Sequence, residues 1–181
     1  MFTINQRGPI YDPHAVQPMR DELTGAGFTE MLTPADVESF IGGNKYKTVL
    51  VFINSVCGCA AGSARPGVTL ALQNNIIPDV LLTTFAGQDR DAVDYLRQNY
   101  LKGIPPSSPF IALFKNGELI HCLQRFNIEG RTADDIAEEL ATTFNEHCSR
   151  PGPSVPPEVY EKLPQFKRCG SKIPLANQNN Q

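Results

Sequence analysis

The chain has 181 residues, enough for one domain with length to spare. Sixteen Lys and Arg stand against nineteen Asp and Glu, a net charge of −3, so no basic stripe points to nucleic acid and no polybasic cluster to a membrane surface. The longest apolar run, Thr48 to Ile53, is strand-sized and too short to span a bilayer. The N-terminal MFTINQRGPIYDPH lacks a basic segment followed by an apolar one, so the expected address is the cytoplasm.

Pro13 and Pro18 break the first stretch, leaving a short helix over about Pro18 to Thr24. A second helix starts at Thr33 as N-cap, with Pro34 at the first helical position and Asp36 in the first turn. Val37, Phe40 and Ile41 make its apolar face, and Gly42-Gly43 end it. TVLVFIN, Thr48 to Asn54, is β-branched and apolar throughout, which predicts a strand covered on both faces. A helix is expected from about Gly58 to Asn74, kinked at Pro66. Asp79 to Phe85 reads as a second buried strand. In the GQDR turn that follows, Asp89 is placed to cap a helix reaching about Lys102. Phe110 to Lys115 and Glu118 to Gln124 flank Asn116-Gly117, the strongest short hairpin signal. Thr132 caps a last helix with Ile136, Leu140 and Phe144 facing inward.

The order strand–helix–strand–helix–strand–strand–helix makes the first two strands parallel and the last two antiparallel. It predicts an α/β, thioredoxin-like fold: a mixed four-stranded central sheet flanked by helices, with extra N-terminal helices. The domain is expected over residues 1–149. Residues 150–181, rich in Pro, Asn and Gln, read as a tail without a core of its own. Within the tail, Val155 to Phe166 is open to packing as an ordered arm against the domain or a partner subunit.

Five cysteines in a chain without an export signal do not make a disulfide framework. Cys57 and Cys59 are the close pair, placed where a buried strand gives way to a helix. The first helical turn has unpaired N–H groups and the positive end of the helix dipole, which favour the attacking thiolate. Cys57, at the lip, is expected to attack, and Cys59, inside the turn, to resolve the mixed disulfide. Gly58 between them permits closure of a small, strained and readily reduced ring. Pro109 opens the strand FIALFK, and a cis Ser108–Pro109 bond would set the Ser108 backbone beside the sulfurs to pair with a substrate segment. Arg65 either raises the potential around Cys57 or contacts an anionic low-molecular-weight thiol, with a solvated helix arginine as the alternative. The adjacent His121 and Cys122 point to opposite faces of a strand, so Cys122 is assigned to the core. Cys148 is read as a helix-end thiol and Cys169 as an incidental one.

NSVCGCAAGSARPGV, the GQDR segment, PPSSPFIALFKNGELIH and the stretch from IEGR into the last helix together resemble the bacilliredoxin family of thioredoxin-like bacterial proteins, over roughly Tyr11 to Cys148. PFIALFKNGE also resembles the cis-proline strand and hairpin of thioredoxins. The resemblance implies removal of bacillithiol from protein mixed disulfides, with weaker disulfide isomerase or reductase activity. It matches Cys57 to the attacking cysteine and Cys59 to the second cysteine of the CGC motif. Cys148 matches a cysteine near the family's usual C-terminus, and the tail beyond it departs from the family pattern.

The expected partners are bacillithiolated or disulfide-bonded client proteins and a low-molecular-weight thiol, with no nucleic acid and no membrane; a homodimer stays open. No bound cofactor and no metal is expected, and bacillithiol enters as thiol co-substrate. Two alternatives share the residues: a general protein disulfide isomerase or reductase, and a soft-metal-binding CxC module.

Overall fold

The computed structural model describes residues 7–164 together with 173, 175 and 176. Its first helix, α1 (Pro13–Thr24), starts earlier than the prolines suggested. Pro13 takes the first helical position, where its missing N–H is no loss, and the Asp12 carboxylate accepts from the His14 N–H at 2.9 Å. The helix runs through Pro18 because Val16, Met19 and Leu23 are all buried on its inner face.

Next come a two-residue strand β1 (Thr29–Glu30) and α2 (Pro34–Val37). The latter has the expected Thr33 cap, completed by Asp36 into a capping box. A π turn (Glu38–Gly42) carries α2 to its glycine stop. β2 (Thr48–Asn54) is buried at every position. Its side chains divide by the period of two: Leu50 and Phe52 enter one core, and Val49, Val51 and Ile53 the other. Fully burying one such side chain stabilises the fold by roughly 1.5–3 kcal/mol.

The helix after β2 begins as a π turn (Ala60–Ala64) and continues as α3 (Arg65–Ala71). The break expected at Pro66 is this wide turn. The Arg65 N–H reaches back five residues to the Ala60 carbonyl just before the proline, which has no N–H to donate. The helix ends at Ala71, three residues short of the expected Asn74.

β3 (Ile76–Ile77), β4 (Val80–Phe85), α4 (Arg90–Tyr100), β5 (Phe110–Lys115), β6 (Glu118–Leu123), α5 (Arg125–Ile128) and α6 (Ala133–His147) follow. Asn116 and Gly117 both have positive φ (54° and 79°), as a tight hairpin requires. Asp89 precedes α4, but its carboxylate does not cap. Arg20 holds it at 2.7 and 3.0 Å, and it accepts the Phe85 N–H at 2.8 Å.

The main sheet is ordered β1-β4-β2-β5-β6, with β1, β4 and β2 parallel and β5 and β6 antiparallel. The fold is thioredoxin-like, with five strands rather than the expected four. The fifth, β1, pairs with Leu82 and Thr83 of β4, and two polar residues carry no periodicity to reveal it. One face holds α1, α3 and α6, and the other α2 and α4. Gly67 lets α3 approach α6: a Cβ there would stand 2.7 Å from Ile136 Cβ.

Beyond Ser149 the chain stays on the domain. β7 (Arg150–Pro151) pairs with β3, and Ser154 donates from N–H to the Leu72 carbonyl and from Oγ to that of Ala26. α7 (Pro157–Tyr160) leads to Leu163, which packs against the α1/α3/α6 core. Ile173 is buried with Val16, Met19, Val56 and Phe85, and Leu175 bridges to Tyr11. Cys169 lies outside the described residues. Among those described, no helix is long and apolar enough to cross a membrane.

Candidate active site

β2 delivers Asn54 and Ser55 into the interior and releases the chain at Cys57, where the helix begins. The Cys57 carbonyl accepts from the Ala60 and Ala61 N–H groups at 3.1 and 3.2 Å, so Cys57 stands at the helix start. Its own N–H donates to Ser55 Oγ at 3.1 Å. Cys57 and Cys59 are free thiols, both half-buried, with Sγ atoms 2.8 Å apart. Gly58 between them is exposed, with open space where a Cβ would stand. Burial, then the hydrogen bond and charge of Cys57, push the Cys59 thiol up to about 12, while Arg125 draws it down.

The Ser108–Pro109 bond is cis, and Ser108 lines the same cleft of about 250 Å³ as Cys57. Arg97 Nη2 donates to the Ser107 carbonyl at 3.1 Å and fastens this loop from α4. Tyr11, Ala86 and Gly87 close the far side of the cleft. Buried Gln88 holds Tyr11 there with two bonds. It accepts the Tyr11 N–H at 2.9 Å and donates to the Tyr11 carbonyl at 3.1 Å. The GQDR turn therefore fixes one wall of the site through Gln88.

Arg65 does not reach this cleft. It has no exposed surface and is neither solvated nor open to a ligand. Its Nε pairs with Glu22 at 2.9 Å, and its Nη1 donates to Asn54 Oδ1 at 3.1 Å and to the Ser55 carbonyl at 2.9 Å. Asn54 adds a bond from Nδ2 to the Met19 carbonyl. The network ties α1 and α3 to the strand end that carries Cys57. Burial pushes the guanidinium down and Glu22 pulls it back up, with a smaller contribution from the two cysteines.

The cation that lines the cleft is Arg125, at the start of α5. Sequence reading passed over it because its 66-residue separation from Cys59 leaves no spacing signal. The only hint was its place directly after the second strand of the hairpin. Its Nε holds Glu129 at 2.6 Å in an exposed pair one helical turn apart.

The remaining cysteines lie elsewhere. Cys122 packs in the core on the α2/α4 side, and burial raises its thiol. Its neighbour His121 turns to the other face, 3.1 Å from Glu139 of α6. Cys148 ends α6, and burial pushes it up to about 11. Its electrostatic neighbours Thr48, Asp79 and Lys115 cluster at the opposite end of β2 from Cys57. Among the described residues no group of three or more His, Cys, Asp or Glu is placed to hold a metal.

A family profile described as disulphide isomerase matches residues 11–148. A bacilliredoxin of Cytophaga hutchinsonii is 50% identical over 137 residues, 76% of this chain and 99% of its own length. One of Staphylococcus aureus is 40% identical over 139 residues, 77% of this chain and 94% of its own. A bacilliredoxin of Salinibacter ruber is 44% identical over 170 residues, 93% of this chain and 98% of its own. The last alignment covers too much of this chain to stop at Cys148, so residues beyond it are shared with at least one relative.

Proposed function

This chain belongs to the bacilliredoxin family, and from that premise we propose that it is a thiol–disulfide oxidoreductase that removes bacillithiol from protein mixed disulfides. One observation carries the reading: two thiols 2.8 Å apart at a helix start, with Cys57 lining a cleft that Ser108 of the cis Ser108–Pro109 bond also lines.

The Cys57 thiolate attacks the bacillithiol sulfur of the mixed disulfide. A bond forms between Cys57 and that sulfur, and the bond to the client sulfur breaks. The client thiolate leaves with the electron pair and takes a proton from solvent. Cys59, deprotonated in its turn, attacks the Cys57 sulfur and expels bacillithiol as a thiolate, leaving a Cys57–Cys59 disulfide. Two electrons from a thiol reductant restore the pair. A free low-molecular-weight thiol can replace Cys59 in the second step, attacking the bacillithiol sulfur and releasing reduced Cys57 directly. The open flank at Gly58 and the exposed rim support access by an extended client segment, which pairs with the backbone at Ser108. Cytoplasmic client proteins are the proposed partners.

The family description as disulphide isomerase favours a second reading in which protein disulfides are also substrates. Both use Cys57 as nucleophile. Rates with one client cysteine capped by bacillithiol, capped by glutathione, or engaged in a protein disulfide separate them. The first reading requires the bacillithiol adduct to react fastest; equal rates for all three remove it.

A further inference from the structure

We infer that Arg125 is the anion-binding subsite of the Cys57 cleft, where its guanidinium receives a carboxylate of the small thiol carried by the incoming mixed disulfide. This rests on the reading of the site as one that takes a low-molecular-weight thiol, and it names the chemistry that selects that thiol.

Three observations carry it. Arg125 shares the cleft with Cys57 and Ser108, and among the described residues no other Arg or Lys and no Asp or Glu lines it. Its charge interacts with both sulfurs, so a ligand whose sulfur meets Cys57 has its neighbouring groups within the field of the guanidinium. Its single side-chain partner occupies Nε alone. Glu129 bonds there at 2.6 Å, and no hydrogen bond engages the Nη atoms among the described residues. Both members of that pair are about half exposed, at 51% and 52%. An exposed pair of this kind is held weakly, whereas the planar Nη edge suits a carboxylate.

The other arginines near the site are committed elsewhere. Arg65 is buried on Glu22, Arg20 is held by Glu30 and Asp89, and Arg97 bonds the Ser107 carbonyl. The contact with an anionic thiol that the sequence suggested for Arg65 thus belongs, by access, to Arg125.

Such a subsite also decides which sulfur is attacked. Anchoring the small thiol's carboxylate sets its own sulfur against Cys57 and leaves the client sulfur as the leaving group. The client then departs reduced, and the enzyme retains the small thiol.

The test is single-turnover transfer in a Cys59→Ser background from one client cysteine capped by bacillithiol or by neutral 2-mercaptoethanol. Arg125→Gln should reduce the ratio of second-order transfer rate constants for the two adducts about tenfold, mainly through a higher half-saturation concentration, as expected for loss of a charge-assisted hydrogen bond. Arg125→Lys should restore part of the ratio. Repeating the pair on a client whose flanking acidic residues are neutralised distinguishes a small-thiol carboxylate from a client one: the effect must persist. The ratio of Cys57 alkylation rates by iodoacetate and iodoacetamide should fall in Arg125→Gln as well. Ratios equal to those of the unsubstituted enzyme would overturn the assignment to Arg125. A parent enzyme with no preference between the two adducts would instead remove the small-thiol reading itself, while the alkylation ratio would still judge Arg125 as an anion site.

Discussion

Arg65 Nη1 donates to the Ser55 carbonyl at 2.9 Å, from a fully buried position to the turn that carries Cys57. Ser55 Oγ in turn accepts the Cys57 N–H. The nucleophile's backbone thus rests on a buried ion pair, Arg65 with Glu22. Removing the cation alone takes the charge partner from a carboxylate held in the interior. Arg65→Met is expected to cost about 3–5 kcal/mol, read by urea unfolding. Adding Glu22→Gln should recover a substantial part of that loss. A single variant within about 1 kcal/mol of the parent would show that the pair does not anchor this turn.

The second step carries a pH signature. Burial is the first cause that lifts the Cys59 thiol to about 12, with the Cys57 hydrogen bond and charge next. A raised thiol pKa leaves the group protonated, and only the thiolate attacks. Once Cys57 is in a mixed disulfide its own contributions fall away, but burial remains. Release of bacillithiol by Cys59 should therefore accelerate about tenfold per pH unit from roughly pH 7 to 9, without a plateau. Stopped-flow release from the isolated mixed disulfide reads this directly. A plateau below pH 8 would mean that Cys59 ionises far more readily than its burial implies.

The approach of α3 to α6 depends on Gly67. An added Cβ would meet Ile136 Cβ at 2.7 Å, Ile136 Cγ2 at 2.8 Å and the Ala133 carbonyl oxygen at 3.0 Å. Gly67→Ala should destabilise by about 1–3 kcal/mol through overpacking, despite the better helix propensity of alanine. Thermal unfolding measures it, and an unchanged or higher Tm would contradict the close packing.

Hairpin, central strand and last helix were all legible in the sequence, because each rests on local chemistry. TVLVFIN is apolar throughout, Asn116-Gly117 takes positive φ, and Thr132 with Asp135 forms a capping box. What escaped was decided by tertiary partners. Pro18 reads as a breaker, yet α1 passes through it on the strength of buried Val16, Met19 and Leu23. Asp89 reads as a cap, yet Arg20 claims its carboxylate. The site divides in the same way. Cys57, Cys59 and Ser108-Pro109 could be named as candidates from spacing and position, and the fold brings Cys57 and Ser108 to one cleft. Arg65 and Arg125 each open a helix, one buried and one half exposed, and burial is not written in an isolated arginine.

The C-terminal segment offers a further check. Ile173 is buried against Val56, the residue before Cys57, together with Val16, Met19 and Phe85. Ile173→Ala should cost about 2 kcal/mol by emptying this small cluster. A shift in the urea midpoint of the full chain reads the loss. No shift would mean that the cluster is complete without Ile173.

The most direct measurement is peptide mass mapping after the enzyme meets a bacillithiolated client. In the Cys59→Ser variant the bacillithiol adduct is expected on Cys57, in amounts matching the reduced client released. The Cys57→Ser variant should carry none and release none. An adduct on Cys59, Cys122 or Cys148, or client reduction that survives Cys57→Ser, would contradict Cys57 as the attacking sulfur.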